Sequence, residues 1–237
     1  MTRRIGIFGG TFDPVHYGHI ASAKMLVTQL SLDTLYFMPC QQHPFHKHPG
    51  ASPAQRANML ALAVADEAQL QVDERELRRD GMSYTVDSLQ EIRREFGNDA
   101  VIVFILGTDA FASLHQWERW QSILDFANVA VIERAGQLTT AQIIEAELKA
   151  LLAQSVTTVK ASHGELVQLV LEPYIISSTV LRSALAATYQ VDSKVDSKVD
   201  SKFDSQVDEA QIKVINEFIP ASVVQYIEAQ QLYQSNH

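Results

Sequence analysis

Apolar residues recur along this chain in two rhythms, short β-type runs alternating with stretches at helical spacing. Ile5, Ile7 and Phe8 open it as a short buried strand. Gly9, Gly10, Thr11, Phe12, Asp13 and Pro14 cannot continue that strand and predict a tight turn. From about Gly18 the spacing becomes helical, with Ile20, Ala23, Met25, Leu26 and Leu30 forming one face. Thr34–Cys40 is β-branched and aromatic and ends at Pro39, a second strand, so the opening reads as a parallel βαβ unit. Ser52-Pro53 has the look of an N-cap followed by proline at the first helical position, starting a helix over Ala54–Ala65. Leu70–Leu77 alternates loosely and is expected as a strand. Ser83-Tyr84-Thr85 leads into a helix carrying Val86, Leu89, Ile92, Arg93 and Phe96 on one side, with Gly97 at its C′ position. Ala100–Leu106 is the most apolar run and has the signature of a central parallel strand covered on both faces. Leu114–Ala127 is expected to be helical, Val129–Ile132 a strand and Thr139–Leu152 an amphipathic helix. Leu166–Leu171 is the last strand; helices follow from Ser177 through Ala187 and over Phe218–Tyr233.

This alternation predicts an α/β doubly wound parallel sheet in a single domain over residues 1–237, with a C-terminal helical segment at 211–237. Ligands of such sheets bind at the carboxyl ends of the strands. Gly9-Gly10, Pro39–Lys47, Gly107–Asp109, Arg134 and Ser177–Arg182 all follow predicted strands and mark that edge. One stretch breaks the rhythm. Residues 191–210 repeat VDSK three times and continue as FDSQ and VDEA. Valine, aspartate and serine are all mediocre helix formers, so this low-complexity repeat is expected as a solvated, mobile insertion.

Composition narrows the class. The chain has 237 residues, 46% of them hydrophobic and 20% charged, with a net charge of −9. That balance excludes a nonspecific nucleic-acid binder, which needs a basic surface to displace counterions. A small anionic ligand stays compatible, because a pocket can be locally basic on an acidic protein. There is no apolar run long enough to span a membrane and no leader pattern at the start. The single cysteine, Cys40, excludes an internal disulfide framework and suits a reducing compartment, so the cytoplasm is the expected location. Oligomeric state leaves no mark in the sequence.

The opening segment carries the first candidate chemistry. Two glycines let backbone approach a ligand closely, and a helix N-terminus offers N–H groups and partial positive charge to phosphate. His16 and His19, three apart on the first turn, can face one ligand. No Gly-Lys-Ser/Thr follows, so this is not a Walker A loop, and it is not a G-x-G-x-x-G fingerprint. The second candidate is Ile176-Ser177-Ser178-Thr179-Val180-Leu181-Arg182. Hydroxyls and N–H groups at a helix start can hold phosphate oxygens, and Arg182, one turn later, adds a fork of donors with permanent charge.

His16-Tyr17-Gly18-His19 resembles the H-x-G-H hallmark of the nucleotidyltransferase superfamily. The longer GGTFDPVHYGH, together with the I-S-x-T-x-x-R pattern at 176–182, is similar to the nicotinate-nucleotide adenylyltransferases of bacterial NAD synthesis. The resemblance implies a Rossmann-like nucleotidyltransferase fold. It also implies a reaction in which nicotinate mononucleotide and ATP give deamido-NAD and pyrophosphate. On that reading His16, His19 and Arg182 are catalytic, and Gly9, Gly10, Thr11, Phe12, Gly107, Asp109, Ser177, Ser178 and Thr179 bind ATP. Tyr84, Thr85 and Trp117 match positions that recognise nicotinate, and His46, Lys47 and Arg134 are the cations for the mononucleotide phosphate. Mg²⁺ would arrive with ATP, since no dedicated carboxylate cage is evident.

Other readings differ in substrate or in class. Nicotinamide mononucleotide or another phosphorylated acceptor would keep the mechanism, and a non-catalytic nucleotide sensor would keep only the fold. His43, His46 and His48 have a spacing seen among zinc ligands, but no cysteine pair or carboxylate motif accompanies them. A class I aminoacyl-tRNA synthetase fragment shares the H-x-G-H idea but lacks its partner loop here.

Overall fold

Six strands, β1 (Arg4–Gly10), β2 (Thr34–Pro39), β3 (Leu70–Val72), β4 (Val101–Gly107), β5 (Asn128–Arg134) and β6 (Leu166–Leu171), pair in parallel in the order β3-β2-β1-β4-β5-β6. The helices between and after them are α1 (Tyr17–Gln29), α2 (Pro53–Ala63), α3 (Thr85–Phe96), α4 (Thr108–Ala112), α5 (Ile123–Phe126), α6 (Ala146–Ala153), α7 (Ser178–Asp192), α8 (Ser201–Phe218) and α9 (Ala221–Ala229). This computed structural model describes residues 2–41, 50–79, 82–134, 139–143, 145–171, 176–192 and 201–234, without the side chains of 134, 189–192 and 201–208. The expected doubly wound sheet is present. Its order reverses direction at β1, which pairs with β2 on one side and with β4 on the other. The carboxyl ends of β1 and β4 therefore lie side by side, the topological switch point at which such sheets take ligands.

The chain divides into two compact units that interleave in sequence. The first holds Met1–Gly10, Ser22–Gln42 and Glu67–Pro173; the second holds Thr11–Ala21, His43–Asp66 and Tyr174–His237. In the first unit β4 is the central strand, with Val101 through Leu106 all buried. Ile102, Phe104 and Leu106 pack in one cluster with Ile5 and Ile7 of β1 and with Val86, Leu89 and Ile92 of α3, whose spacing of three and four sets them on one face. Gly97 ends α3 at φ +83°, a conformation that costs glycine little. Buried Arg93 closes the same end by donating to the carbonyls of Gly97, Ala100, Phe126 and Ser162 at 2.7–3.0 Å.

In the second unit α2 starts with a capping box. The Ser52 hydroxyl accepts from the Gln55 amide, and the Gln55 side chain accepts from the Ser52 amide. α2 packs on α9, with Asn58 donating to the Tyr226 hydroxyl at 3.1 Å, and α7 packs on α8.

Several boundaries differ from the sequence expectation, each for a local reason. Gly9 and Gly10 are the last residues of β1 rather than the start of the turn. The third strand stops at Val72, because the Asp73 carboxylate accepts from the Arg75 amide and Nε and begins a single-turn 3-10 helix at Arg75–Arg78. Leu114–Ala127 is three short turns, broken where Arg119 takes φ +51°. The Thr139–Leu152 segment splits into a 3-10 turn at Thr140–Gln142 and α6. Pro220 separates α8 from α9, so Phe218–Tyr233 is not one helix. The repeat expected as a solvated insertion is helical at both ends, since α7 runs to Asp192 and α8 starts at Ser201; residues 193–200 lie outside the described residues.

Candidate active site

Immediately after β1 the second unit begins with Thr11–Pro14, a turn whose polar groups are tied down one by one. Phe12 is buried at φ +52°, in the left-handed region that a bulky residue adopts only when held. The Thr11 carbonyl accepts from fully buried Arg56 of α2 at 2.7 Å. The Asp13 carbonyl accepts from Arg182 at 2.6 Å, and the Pro14 carbonyl accepts from the Ser178 hydroxyl at 3.0 Å. The Asp13 carboxylate, buried, accepts from the amides of Gly50 and Ala51 and from the Tyr233 hydroxyl.

This turn delivers the two histidines to the start of α1. Their rings stack with centroids 3.8 Å apart, and Phe12 meets His19 edge-on at 5.1 Å. The His16 amide donates to His19 Nδ1 at 3.3 Å, which makes Nδ1 the acceptor and assigns the proton of the neutral ring to Nε2. His19 is thereby set as an N–H donor. Gly18 between them has a steric cause. A Cβ there would lie 2.9 Å from His16 Nδ1 and 3.0 Å from its Cε1, so any side chain at 18 displaces the His16 ring.

Ser177, Ser178 and Thr179 sit at the start of α7, with Ser177 capping the first turn. The Ser178 hydroxyl is spent on Pro14, and the Thr179 hydroxyl faces Arg182 Nη2 at 3.3 Å. Within the second unit the structure thus brings together Thr11, Phe12, His16, His19, Ser177, Ser178, Thr179 and Arg182. The two motifs, more than 150 residues apart in sequence, are joined by two hydrogen bonds to one turn.

Of the remaining candidates, Gly9, Gly10, Tyr84, Thr85, Gly107, Asp109, Trp117 and Arg134 belong to the first unit. Gly9 and Gly10 are the last two residues of β1, and Gly107 ends the adjacent strand β4. The Asp109 carboxylate folds back over Gly107, where a Cβ would lie 2.6 Å from Oδ1, so the glycine makes room for the carboxylate beyond the strand end. Tyr84 and Thr85 form the entrance to α3, with Tyr84 exposed. Trp117 packs edge-on against Phe104 with centroids 6.3 Å apart, and an Arg119–Asp87 ion pair at 2.7 Å fastens its loop to the first turn of α3. Trp120 packs against the core. His46 and Lys47 lie outside the described residues, as do His43 and His48; Arg134 ends β5, with its side chain outside them.

Behind the Ser83–Thr85 segment is a buried polar cluster. Ser88 donates to the Glu76 carboxylate at 2.8 Å and accepts from Arg79, while the Ser83 hydroxyl donates to the Glu76 carbonyl. Burial pushes the Glu76 carboxyl up from 4.5 to about 7, against the opposing pull of Ser88 and Arg79. In the unfolded chain this group ionises near 4.5, so the folded state binds the extra proton between the two values. Its contribution to stability is present at low pH and is lost as pH rises towards 7, by roughly 3 kcal/mol in all. Denaturant unfolding of the wild type and Glu76→Gln should show this. The wild type is expected to lose stability relative to the variant between pH 5 and 8, and a pH-independent difference would refute the assignment.

The sequence pattern did not single out Asp13, Arg56, Gly50 or Tyr233. Arg56 left one trace, a charged residue three and four positions before Met59 and Leu60 on the buried face of α2.

Residues 7–184 match the family described as Cytidylyltransferase-like. A probable nicotinate-nucleotide adenylyltransferase of Pseudomonas aeruginosa is 34% identical over the whole of both chains. One of Cellvibrio japonicus is 50% identical over 136 residues, which is 57% of this chain and 64% of that relative's own length. Among solved structures, Plasmodium falciparum nicotinic acid mononucleotide adenylyltransferase complexed with NaAD superposes with a TM-score of 0.65 at 17% identity, over 98% of this chain and 97% of that one. At that identity the likeness speaks for the fold.

Proposed function

Since the chain belongs to the cytidylyltransferase-like family and, within it, to the nicotinate-nucleotide adenylyltransferases, we propose that it converts nicotinate mononucleotide and ATP to deamido-NAD and pyrophosphate through the residues assembled around the Thr11–Pro14 turn. The observation that carries this reading is the joining of the H-x-G-H and Ser177–Arg182 motifs by the bonds from Ser178 to Pro14 and from Arg182 to Asp13.

The mononucleotide phosphate is the nucleophile. One of its oxygens forms a bond to the α-phosphorus of ATP in line with the bond to the bridging oxygen that breaks, and pyrophosphate leaves. The attacking oxygen is already anionic at neutral pH, so no general base is required, and catalysis rests on positioning and charge stabilisation. His19 Nε2–H donates to the α-phosphate, His16 supports the neighbouring phosphates, and Arg182 with the amides of Ser178 and Thr179 holds the departing pyrophosphate. Gly9 and Gly10 let backbone approach the nucleotide, Thr11 and Phe12 line the turn beside it, and Asp109 beyond Gly107 accepts from ribose hydroxyls. Tyr84 and Thr85 receive the nicotinate carboxylate, and Trp117 stacks on the ring. His46, Lys47 and Arg134 are assigned to the mononucleotide phosphate.

An ATP-dependent nucleotidyltransferase works with a divalent metal. Mg²⁺ would enter on the ATP phosphates as part of that substrate; among the described residues there is no group of three or more His, Cys, Asp or Glu placed to hold an ion. Among the described residues no helix is long and apolar enough to cross a membrane; a cytoplasmic location, where both substrates occur, is part of this proposal.

Pyrophosphate release with Mg-ATP, offering nicotinate and nicotinamide mononucleotides in parallel, tests it. Strong preference for the acid is expected. Preference for the amide would overturn the roles of Tyr84, Thr85 and Trp117, and silence with both would overturn the reaction.

A further inference from the structure

Tyr233 lies past the end of α9, yet it reaches the turn that carries the candidate chemistry. The main chain after α9 doubles back, with Gln231 and Leu232 amides donating to the carbonyls of Glu228 and Ile227. Gln231 and Tyr233 both take positive φ, +51° and +63°, conformations that side-chain-bearing residues keep only where packing fixes them. The Tyr233 ring is buried with its Cδ1–Cε1 edge against Gly50, where a Cβ would lie 2.7 Å from Cδ1 and 2.8 Å from Cε1. Its hydroxyl donates to Asp13 Oδ1 at 2.7 Å.

The consequence falls on Arg182. Asp13 Oδ2 is taken by the Gly50 amide, and Oδ1 is shared by the Ala51 amide and Tyr233. With those three donors in place, Arg182 Nη1 rests on the Asp13 backbone carbonyl at 2.6 Å and stays 3.7 Å from Oδ2. A closed fork-to-fork pair between guanidinium and carboxylate would use the donors that a phosphate needs. Arg182 and Tyr233 also share the lining of one cavity of about 330 Å³ with Gly50, Ala186 and Leu232. Burial, and next the Asp13 carboxylate, push the Tyr233 phenol far above the ordinary tyrosine range, so the hydroxyl keeps its proton as a donor.

We propose that Tyr233 is a positioning residue for Arg182: by occupying Asp13 Oδ1 it keeps the guanidinium on the Asp13 carbonyl and turned towards the phosphates of ATP. The inference rests on the assignment of Arg182 to those phosphates. It makes the extreme C-terminal turn part of the nucleotide site.

Tyr233→Phe in the full chain keeps the ring against Gly50 and removes only the hydroxyl. Affinity for a non-hydrolysable ATP analogue with Mg²⁺, measured by calorimetry without any acceptor, is expected to fall about tenfold, the worth of one charge-assisted hydrogen bond. KM for the mononucleotide should stay unchanged. In an Arg182→Ala background the same substitution should have no further effect on analogue affinity. Unchanged affinity in Tyr233→Phe, or an equal loss with and without Arg182, overturns the positioning role and leaves the proposed reaction standing. Failure of the wild type to bind the analogue overturns both. Binding of the analogue without turnover of either mononucleotide removes the reaction but not the positioning role. Unfolding curves for each variant separate a loss of affinity from a loss of fold.

Discussion

His19→Ala is expected to lower kcat for pyrophosphate release by about 10² to 10³, the usual effect of deleting one preorganised donor aimed at a developing phosphoryl charge. The reason lies in the tautomer. The His16 amide occupies His19 Nδ1, so the ring can only present Nε2–H, and the contacts with Phe12 and the His16 ring hold its plane. Alanine removes the donor and leaves the turn and the start of α1 otherwise intact. His19→Gln places an amide near the same locus and should recover part of the loss. KM values should move little, because the donor is used most strongly in the transition state. Steady-state rates for both variants beside circular dichroism check this, and near-normal turnover of the alanine variant would sink the assignment.

The largest stability effect is expected at Asp13. Its carboxylate is 4% exposed and accepts from two backbone amides and the Tyr233 hydroxyl, with the Arg182 guanidinium 3.7 Å away. Asp13→Ala strands those donors together. Each buried group left without a partner costs about 1–3 kcal/mol, and breaking a buried charged cluster by removing one member costs about 3–5 kcal/mol. A fall of that order in denaturant unfolding free energy is expected, read as a lower midpoint at an unchanged slope. A shift below about 1 kcal/mol would mean that water or local rearrangement replaces the carboxylate.

Periodicity carried most of the sheet. Ala100–Leu106 announced itself as the central strand because it is covered on both faces, and α3 because its buried residues recur at three and four. Where expectation and structure part, a single polar side chain or backbone angle decides, as at Asp73, Arg119 and Pro220. The histidine motif was legible for a related reason, since its members lie within one helical turn and their partners are each other. Asp13 was not. Its side chain is satisfied from residues 37 to 220 positions away, and Arg56 reaches the Thr11 carbonyl across 45. In sequence GTFDP reads only as a turn. What makes its aspartate a hub is donors contributed by α2's approach, α7 and the C-terminal end, none of which leaves a local pattern. The repeat was read by propensity alone, and the backbone helices α7 and α8 extend into its two ends.

The interleaving of the two units bears on how the molecule can be cut. The backbone passes between them five times, at 10/11, 21/22, 42/43, 66/67 and 173/174. No contiguous fragment therefore contains all of the second unit without also containing most of the first. A break at 173/174 is the informative one. It gives one piece with all the described strands and with His16 and His19, and another with Arg182 and Tyr233. Neither piece holds the whole of the proposed site, so on that proposal adenylyl transfer from the mixture becomes a reporter of reassembly, usable as a split enzyme whose signal appears only when the two halves find each other.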